Sequence, residues 1–180
     1  DNPADLYVYG SDASVHEAMP QAVVRPQNTA QVQELLRYAN GEKIPVIPRG
    51  SGSGMCGQVV PVQGGIILDM KGMNRILEIN TPDGYCRVEP GVVDNDLNTA
   101  LKPHGVFYPP TPASGAVATI GGEIANNASG TRAVKYGAAR DAVLAMKVVL
   151  ANGDCVSLGS TTRVASSGYP LERLMVGSEG

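Results

Sequence analysis

The chain has 180 residues, 43% of them hydrophobic, with 22 glycines and 13 prolines; that is a globular composition with many loops, short of the Gly and Pro content of low-complexity disorder. Fourteen Lys and Arg against 17 Asp and Glu give a net charge of −3 without blocks of one sign, which argues against a nucleic-acid partner or a polybasic membrane patch. Seven Tyr, one Phe and no Trp leave little for base stacking, and no apolar run approaches the roughly 18 residues of a membrane span.

In chain order, Ala22-Val23-Val24 reads as a short strand ended by Arg25-Pro26. Asn28 with Gln31 in capping-box position predicts a helix, its apolar face being Val32, Leu35, Leu36 and Ala39 and its stop Gly41. Ile44–Pro48 is extended, and its two prolines argue against a central antiparallel strand. Ile66–Asp69 follows, then a hairpin of Leu77–Asn80 and Tyr85–Glu89 about Pro82-Asp83-Gly84. Asp94 is the expected cap of a helix closed by Gly105; residues 106–118 read as loop and Thr119–Asn127 as a weak helix. Val143–Leu150 and Asp154–Leu158 form a hairpin on Asn152-Gly153, a type I′ signal. Pro170–Val176 is a last helical turn. Strands and helices mix without strict alternation, which favours α+β over a doubly wound sheet.

Glycine is unevenly placed: six lie in residues 50–65 and five in 115–137. In the first cluster, Gly52-Ser53-Gly54-Met55-Cys56-Gly57 matches G-x-G-x-x-G, and Asp69 stands near the place of a ribose-binding acid. The dinucleotide fingerprint nevertheless needs a helix that crosses to the next strand. Residues 58–65, with Pro61, Gly64 and Gly65, cannot supply one. What remains is a loop whose alternating glycines let backbone N–H groups converge on one point, with Arg49, Ser51 and Ser53 adding charge and hydroxyls. Such a nest suits a diphosphate, and without a G-K-[ST] lysine it is not a nucleotide-hydrolase P-loop. The plainer reading is a flexible turn. The second segment, Pro112–Gly130, is nearly free of bulk and charge and could lay a flat ligand against backbone, with Ser114, Thr119, Asn126, Asn127 and Ser129 as polar partners. Its plainer reading is a small-residue helix packed in a core.

Val23-Val24-Arg25-Pro26, Pro48–Gly54, Val88-Glu89-Pro90-Gly91-Val92, Thr119-Ile120-Gly121-Gly122, Lys135-Tyr136-Gly137, Arg140-Asp141 and Val176–Gly180 follow one another in order. Together they resemble the FAD-binding domain of the vanillyl-alcohol oxidase / p-cresol methylhydroxylase type, and within it the flavin-dependent 2-hydroxy-acid dehydrogenases of the D-lactate dehydrogenase and glycolate oxidase D-subunit kind. The resemblance runs from about Ala22 to Gly180. It implies an α+β, two-lobed FAD-binding domain over residues 1–180, the first lobe about 1–90 and the second about 91–180, with an extended FAD between them. It implies that Pro48, Arg49, Gly50, Ser51, Gly52, Ser53 and Gly54 cradle the pyrophosphate. Pro112, Ala113, Ser114 and Thr119, with Gly121, Gly122, Asn126, Asn127, Ser129 and Gly130, are the implied contacts of the ribityl chain and isoalloxazine edge, and Glu179 opens the last flavin-contacting segment. Ser53 stands where some relatives carry a flavin-linking His, so FAD is expected to be non-covalent.

The resemblance further implies a 2-hydroxy acid of the D-lactate or glycolate type as substrate, with hydride passing to flavin, and an electron-accepting subunit as a possible partner. The cap domain that carries the catalytic groups is absent, so the chain reads as truncated at 180 and inactive alone, with no catalytic residue of its own to name. Two alternatives stay open: a flavin-binding electron-transfer module without such a substrate, and a non-enzymatic interaction domain. His16 and His104 are expected at the surface in structural roles, and neither has a metal-ligand partner at suitable spacing. Arg132, Lys135 and Arg140 read as solvated charges, or else as partners of phosphate or a substrate carboxylate. Cys56, Cys86 and Cys155, odd in number and far apart, read as free thiols of a reducing compartment, which points to the cytoplasm.

Overall fold

A computed structural model describes residues 2–164 and 166–180. The chain divides into two compact units: residues 1–73 with 149–155, and residues 74–148 with 156–180.

The first unit begins with a short helix α1 (Pro3–Val8) and strand β1 (Ala22–Val24). Helix α2 (Thr29–Glu42) is capped by Asn28, whose side chain accepts from the Gln31 N–H at 3.0 Å. The reciprocal half of the expected box is displaced: Gln31 accepts from the Gln27 N–H instead. The helix also runs through Gly41 and stops at Lys43, which takes the left-handed conformation (φ 58°). Strands β2 (Val46–Arg49) and β3 (Ile66–Asp69) complete a parallel sheet of order β1-β3-β2. Pro48 is tolerated because β2 is an edge strand, whereas central β3 is buried at all four positions. Val32, Leu68 and Met73 form the core, with Leu35, Leu36 and Val149 against it.

The second unit starts with the antiparallel hairpin β4 (Ile76–Asn80) and β5 (Tyr85–Val88). In this hairpin Ile76, Ile79, Cys86 and Val88 pack on the core of Val92, Leu97, Leu101 and Ile120. Helix α3 (Asp94–Leu101) is preceded by Val93 as its cap residue, with no side-chain cap bond. Asp94 is thus the first helical residue and buried, not the expected cap. A 3₁₀ turn at Lys102–His104 ends at Gly105 (φ 70°). Helix α4 (Ile120–Ala125) is capped by Thr119, and two one-turn helices follow, α5 (Ala133–Tyr136) and α6 (Ala139–Ala142). The sequence carries too little periodicity over four residues to announce these. Strands β6 (Ala145–Val149) and β7 (Cys155–Gly159) form the second hairpin, and α7 (Leu171–Met175) is the last helix.

Candidate functional site

In the first unit, the loop between β2 and β3 joins two parallel neighbours without a crossover helix, so the dinucleotide fingerprint is absent as expected. Asp69 confirms this from the other side. It is fully buried, and its carboxylate accepts from the Tyr9 hydroxyl (2.8 Å), Arg25 Nε (2.9 Å) and the Lys71 N–H (3.1 Å). Those partners leave it no part in holding a ribose. The Tyr9 hydroxyl is pushed up by its own burial and by its bond to Asp69.

The loop residues Ser51 to Gly54 are half-buried. Gly52 and Gly57 take positive φ (72° and 77°), a region L-residues seldom enter. Among the described residues, the backbone N–H groups from Gly52 to Cys56 have no acceptor, while the Gly57 N–H is taken by the Asp12 carboxylate at 3.0 Å. Arg49, expected to face a ligand, is turned inward and only 7% exposed. Its Nη1 donates to the Tyr9 carbonyl (3.5 Å), its guanidinium lies 5.6 Å from the Tyr9 ring centroid, and a Cβ on Gly52 would collide with it. Burial lowers its pKa, opposed by the charge of Asp12. Arg49 therefore keeps its charge buried beside Gly52 of the loop.

The second unit holds the other segment. Here the backbone is committed internally. Gly115 N–H donates to Pro112, Ala118 N–H to Ser114, Ile120 N–H to Val92 and Gly121 N–H to Pro90. Three glycines are required by close approach: a Cβ on Gly121 would stand 2.6 Å from the Pro90 Cβ, one on Gly115 2.9 Å from Asp94 Oδ2, and one on Gly130 would overlap the Thr111 carbonyl. Gly122 differs, since a Cβ there meets only the Thr119 hydroxyl at 3.2 Å. Thr119 itself is 2% exposed and caps α4. Asn126 Nδ2 turns back to the Gly122 carbonyl, and Asn127, in the left-handed region (φ 48°), accepts from the Arg140 N–H. Ala113 and Ser129 are exposed and Pro112 and Ser114 half-buried. The chain's last residues dock on α4, with Gly177 N–H donating to Ile124 and Glu179 N–H to Ala125. This brings Glu179 to the end of α4 that leads into Asn126 and Asn127.

Two features escaped the sequence. The first is the contact of residues 9–16 with the glycine loop, since a short polar stretch carries no periodic signal. The second is a buried carboxyl pair in the second unit. Asp94 is 2% and Glu123 3% exposed. The Asp94 carboxylate accepts from Asn98 Nδ2 and lies within hydrogen-bonding reach of the Glu123 carboxyl, whereas the Tyr108 hydroxyl has no hydrogen-bond partner among the described residues. Burial, reinforced by the charge of Asp94, pushes the Glu123 carboxyl up to about 8. Burial also raises Asp94, partly offset by its bond from Asn98, and raises the Tyr108 phenol. Two acids that share a low-dielectric site ionise together only at a cost, which favours the protonated form of Glu123.

Beside this pair, an open groove of about 480 Å³ runs between α3, Phe107, Thr111 and Arg132. The Arg132 guanidinium lies 5.1 Å from the Phe107 ring centroid and the Lys135 ammonium 4.8 Å from that of Tyr136, while the two rings meet edge to face. The exposed cations of this region are thus placed on aromatic faces. All three cysteines are free. No group of three or more His, Cys, Asp or Glu among the described residues is arranged to hold a metal ion, and none of the described helices is long and apolar enough to cross a membrane.

The family model described as an FAD binding domain matches residues 20–159. The chain is 43% identical to the glycolate oxidase subunit GlcD of Bacillus subtilis (strain 168), over 100% of this chain and 38% of that protein. It is 40% identical to a D-lactate dehydrogenase of Anaerostipes hadrus, over 98% of this chain and 36% of that protein. The chain thus spans little more than a third of the length of these relatives. Among solved structures, p-cresol methylhydroxylase with substrate bound superposes with a TM-score of 0.79 at 29% identity, over 93% of this chain and 35% of that one. The mixed α+β architecture and the order of motifs agree with these likenesses, and the chain belongs to the FAD binding domain family.

Proposed function

We propose that this chain is the FAD-binding domain of an oxidoreductase that oxidises a 2-hydroxy acid of the D-lactate or glycolate class. The observation that carries the reading is the run of N–H groups from Gly52 to Cys56. These donors have no acceptor among the described residues, on a half-exposed loop with the buried Arg49 charge beside it. Consecutive backbone donors beside a buried cation suit a diphosphate, which supports this loop as the place of the FAD pyrophosphate. In this proposal Gly50–Gly54 hold the diphosphate, and Ser51 and Ser53 add hydroxyls. Pro112–Ser114, Gly122, Asn126–Ser129 and Glu179 are the contacts assigned to the rest of the cofactor. The packed positions Thr119, Gly121 and Gly130 shape that segment from inside. Ser53 offers no nucleophile suited to a flavin link, so binding is non-covalent.

When bound, FAD supplies the acceptor for the hydride that leaves C2 of the hydroxy acid. The chain's own part is to bind, orient and electrostatically tune the cofactor. This proposal assigns the base that takes the hydroxyl proton to no residue of this chain. Their names support the substrate class, an electron-accepting partner belongs to the same proposal, and three free cysteines favour a cytoplasmic setting.

Titration of the chain with FAD, followed by flavin fluorescence and thermal shift, tests the cofactor role. Saturable binding with a raised melting temperature is expected. Absence of both removes the flavin reading and leaves an interaction domain. Anaerobic mixing of the full-length flavoprotein with D-lactate or glycolate tests the substrate class. Bleaching of the oxidised flavin band is expected, and flavin that stays oxidised with every 2-hydroxy acid leaves an electron-transfer module.

A further inference from the structure

Residues 9–17 form a strap packed on the first glycine loop. Ser11 and Glu17 pair as an isolated antiparallel bridge, which closes the strap on itself. Within it, Asp12 Oδ1 accepts from the Ser14 N–H at 2.8 Å, an ordinary Asx turn. The second oxygen goes elsewhere: Oδ2 accepts from the Gly57 N–H at 3.0 Å, 45 residues along the chain. The neighbouring Ala13 N–H donates to the Gly54 carbonyl at 3.0 Å. His16 lies over Gly57, where an added Cβ would stand 2.7 Å from its Cδ2. The strap therefore holds Gly54 and Gly57, while the amides of Gly52 to Cys56 have no acceptor among the described residues.

We propose that Asp12 is a positioning residue for the FAD diphosphate, acting through its bond to Gly57 to fix the direction in which the loop's remaining amides point. The proposal rests on the reading of this loop as the diphosphate site. A local turn needs one carboxylate oxygen, so the second bond has no purpose within the strap. A glycine-rich loop without anchors would have to be ordered on binding, and a loop already held in its bound shape gives up less entropy. An acid beside an anion site would ordinarily repel it. Here the Arg49 charge faces Asp12, and its carboxyl, though raised by burial, is held below its ordinary value by bonds from Ser14 and Gly57 and by Arg49. Asp12 also lies outside the matched residues 20–159, so the matched stretch leaves out a group that sets its own loop.

The test uses Asp12→Asn, whose amide can satisfy only one of the two N–H groups, and Asp12→Glu, which restores a two-oxygen acceptor. FAD affinity is measured by flavin-fluorescence titration, and hydrogen exchange is followed in the FAD-free chain. For Asp12→Asn the Kd is expected to rise roughly tenfold, with faster exchange confined to residues 52–57 and protection in α2 and β3 unchanged. Asp12→Glu is expected to recover part of the affinity. A Kd within about twofold of the parent overturns the proposal, as does faster exchange throughout the first unit, which marks a general loss of structure. A parent chain that binds no FAD overturns the reading of the loop itself, and that result is seen before any variant is made.

Discussion

The two glycine-rich segments look alike in composition and differ in what their backbones are doing. From Gly52 to Cys56 the amides have no acceptor among the described residues, and what crowds the glycines is side chain (Arg49, Gln58, His16). From Gly115 to Gly121 the amides are largely spent on Pro112, Ser114, Val92 and Pro90, and the glycines sit where another backbone or a buried acid passes within contact. Clustering of glycine therefore does not by itself mark a ligand cradle. The distinguishing observations are whether donors retain hydrogen-bonding capacity and what a Cβ would meet.

The sharpest break of the comparison is Gly130→Ala. Its Cβ would overlap the Thr111 carbonyl and lie 3.1 Å from the Pro112 nitrogen, so backbone must move. A loss of about 3 kcal/mol in FAD-free stability is expected, read from the urea midpoint of the second unit's unfolding. A variant that melts with the parent would show that close packing does not explain this glycine. The next effect belongs to the buried acid pair. Glu123 titrates at about 8 in the folded chain against 4.5 ordinarily, so the folded state keeps a proton that the unfolded chain releases. Stability then falls as pH rises from about 4.5 to about 8 and levels off above, where both states are ionised. Glu123→Gln removes that slope and is expected to exceed the parent by about 2 kcal/mol at pH 9 while matching it near pH 5. Urea melts at the two pH values check this; parallel loss in parent and variant would place the titration elsewhere.

The sequence made much of the local structure legible, and the reason is visible at particular residues. Pro82-Asp83-Gly84 and Asn152-Gly153 force turns through their own φ preferences, so both hairpins could be read directly. Asn28 announces α2 because capping is a bond between near neighbours. What escaped was tertiary. Asp94 at a helix start reads as a dipole partner, and only the packing of α3 with α4 buries it against Glu123. Arg49 beside a glycine loop reads as a ligand contact, and only Tyr9, 40 residues earlier, explains why it turns inward. Asp12 had no signal at all, since its partner Gly57 lies 45 residues away.

Gly52→Ala sharpens the comparison from the first segment. At φ 72° an L-residue is strained by roughly 1 kcal/mol, and its Cβ would displace the buried Arg49 guanidinium. A stability loss of about 1–2 kcal/mol is expected from that strain and displacement, together with an FAD Kd raised at least several-fold. An unchanged Kd would separate the loop's shape from cofactor binding.

The smallest effect on stability is the most informative about the second segment. Gly122 is the least crowded glycine of that segment, since a Cβ meets only the Thr119 hydroxyl, the atom that caps the helix, at a tight 3.2 Å. It lies in the first turn of α4, where alanine is the better helix former, so Gly122→Ala should leave the FAD-free chain unchanged or more stable by less than about 1 kcal/mol. If the open face of this turn lies against the cofactor, the added methyl takes up space that the ligand needs, and FAD affinity should fall about threefold while the melting temperature holds or rises. Stability and affinity then move in opposite directions, which a change in packing alone does not produce. Equal FAD affinity in Gly122→Ala would make the second segment a packed scaffold throughout and leave the first loop as the chain's glycine-built contact with FAD.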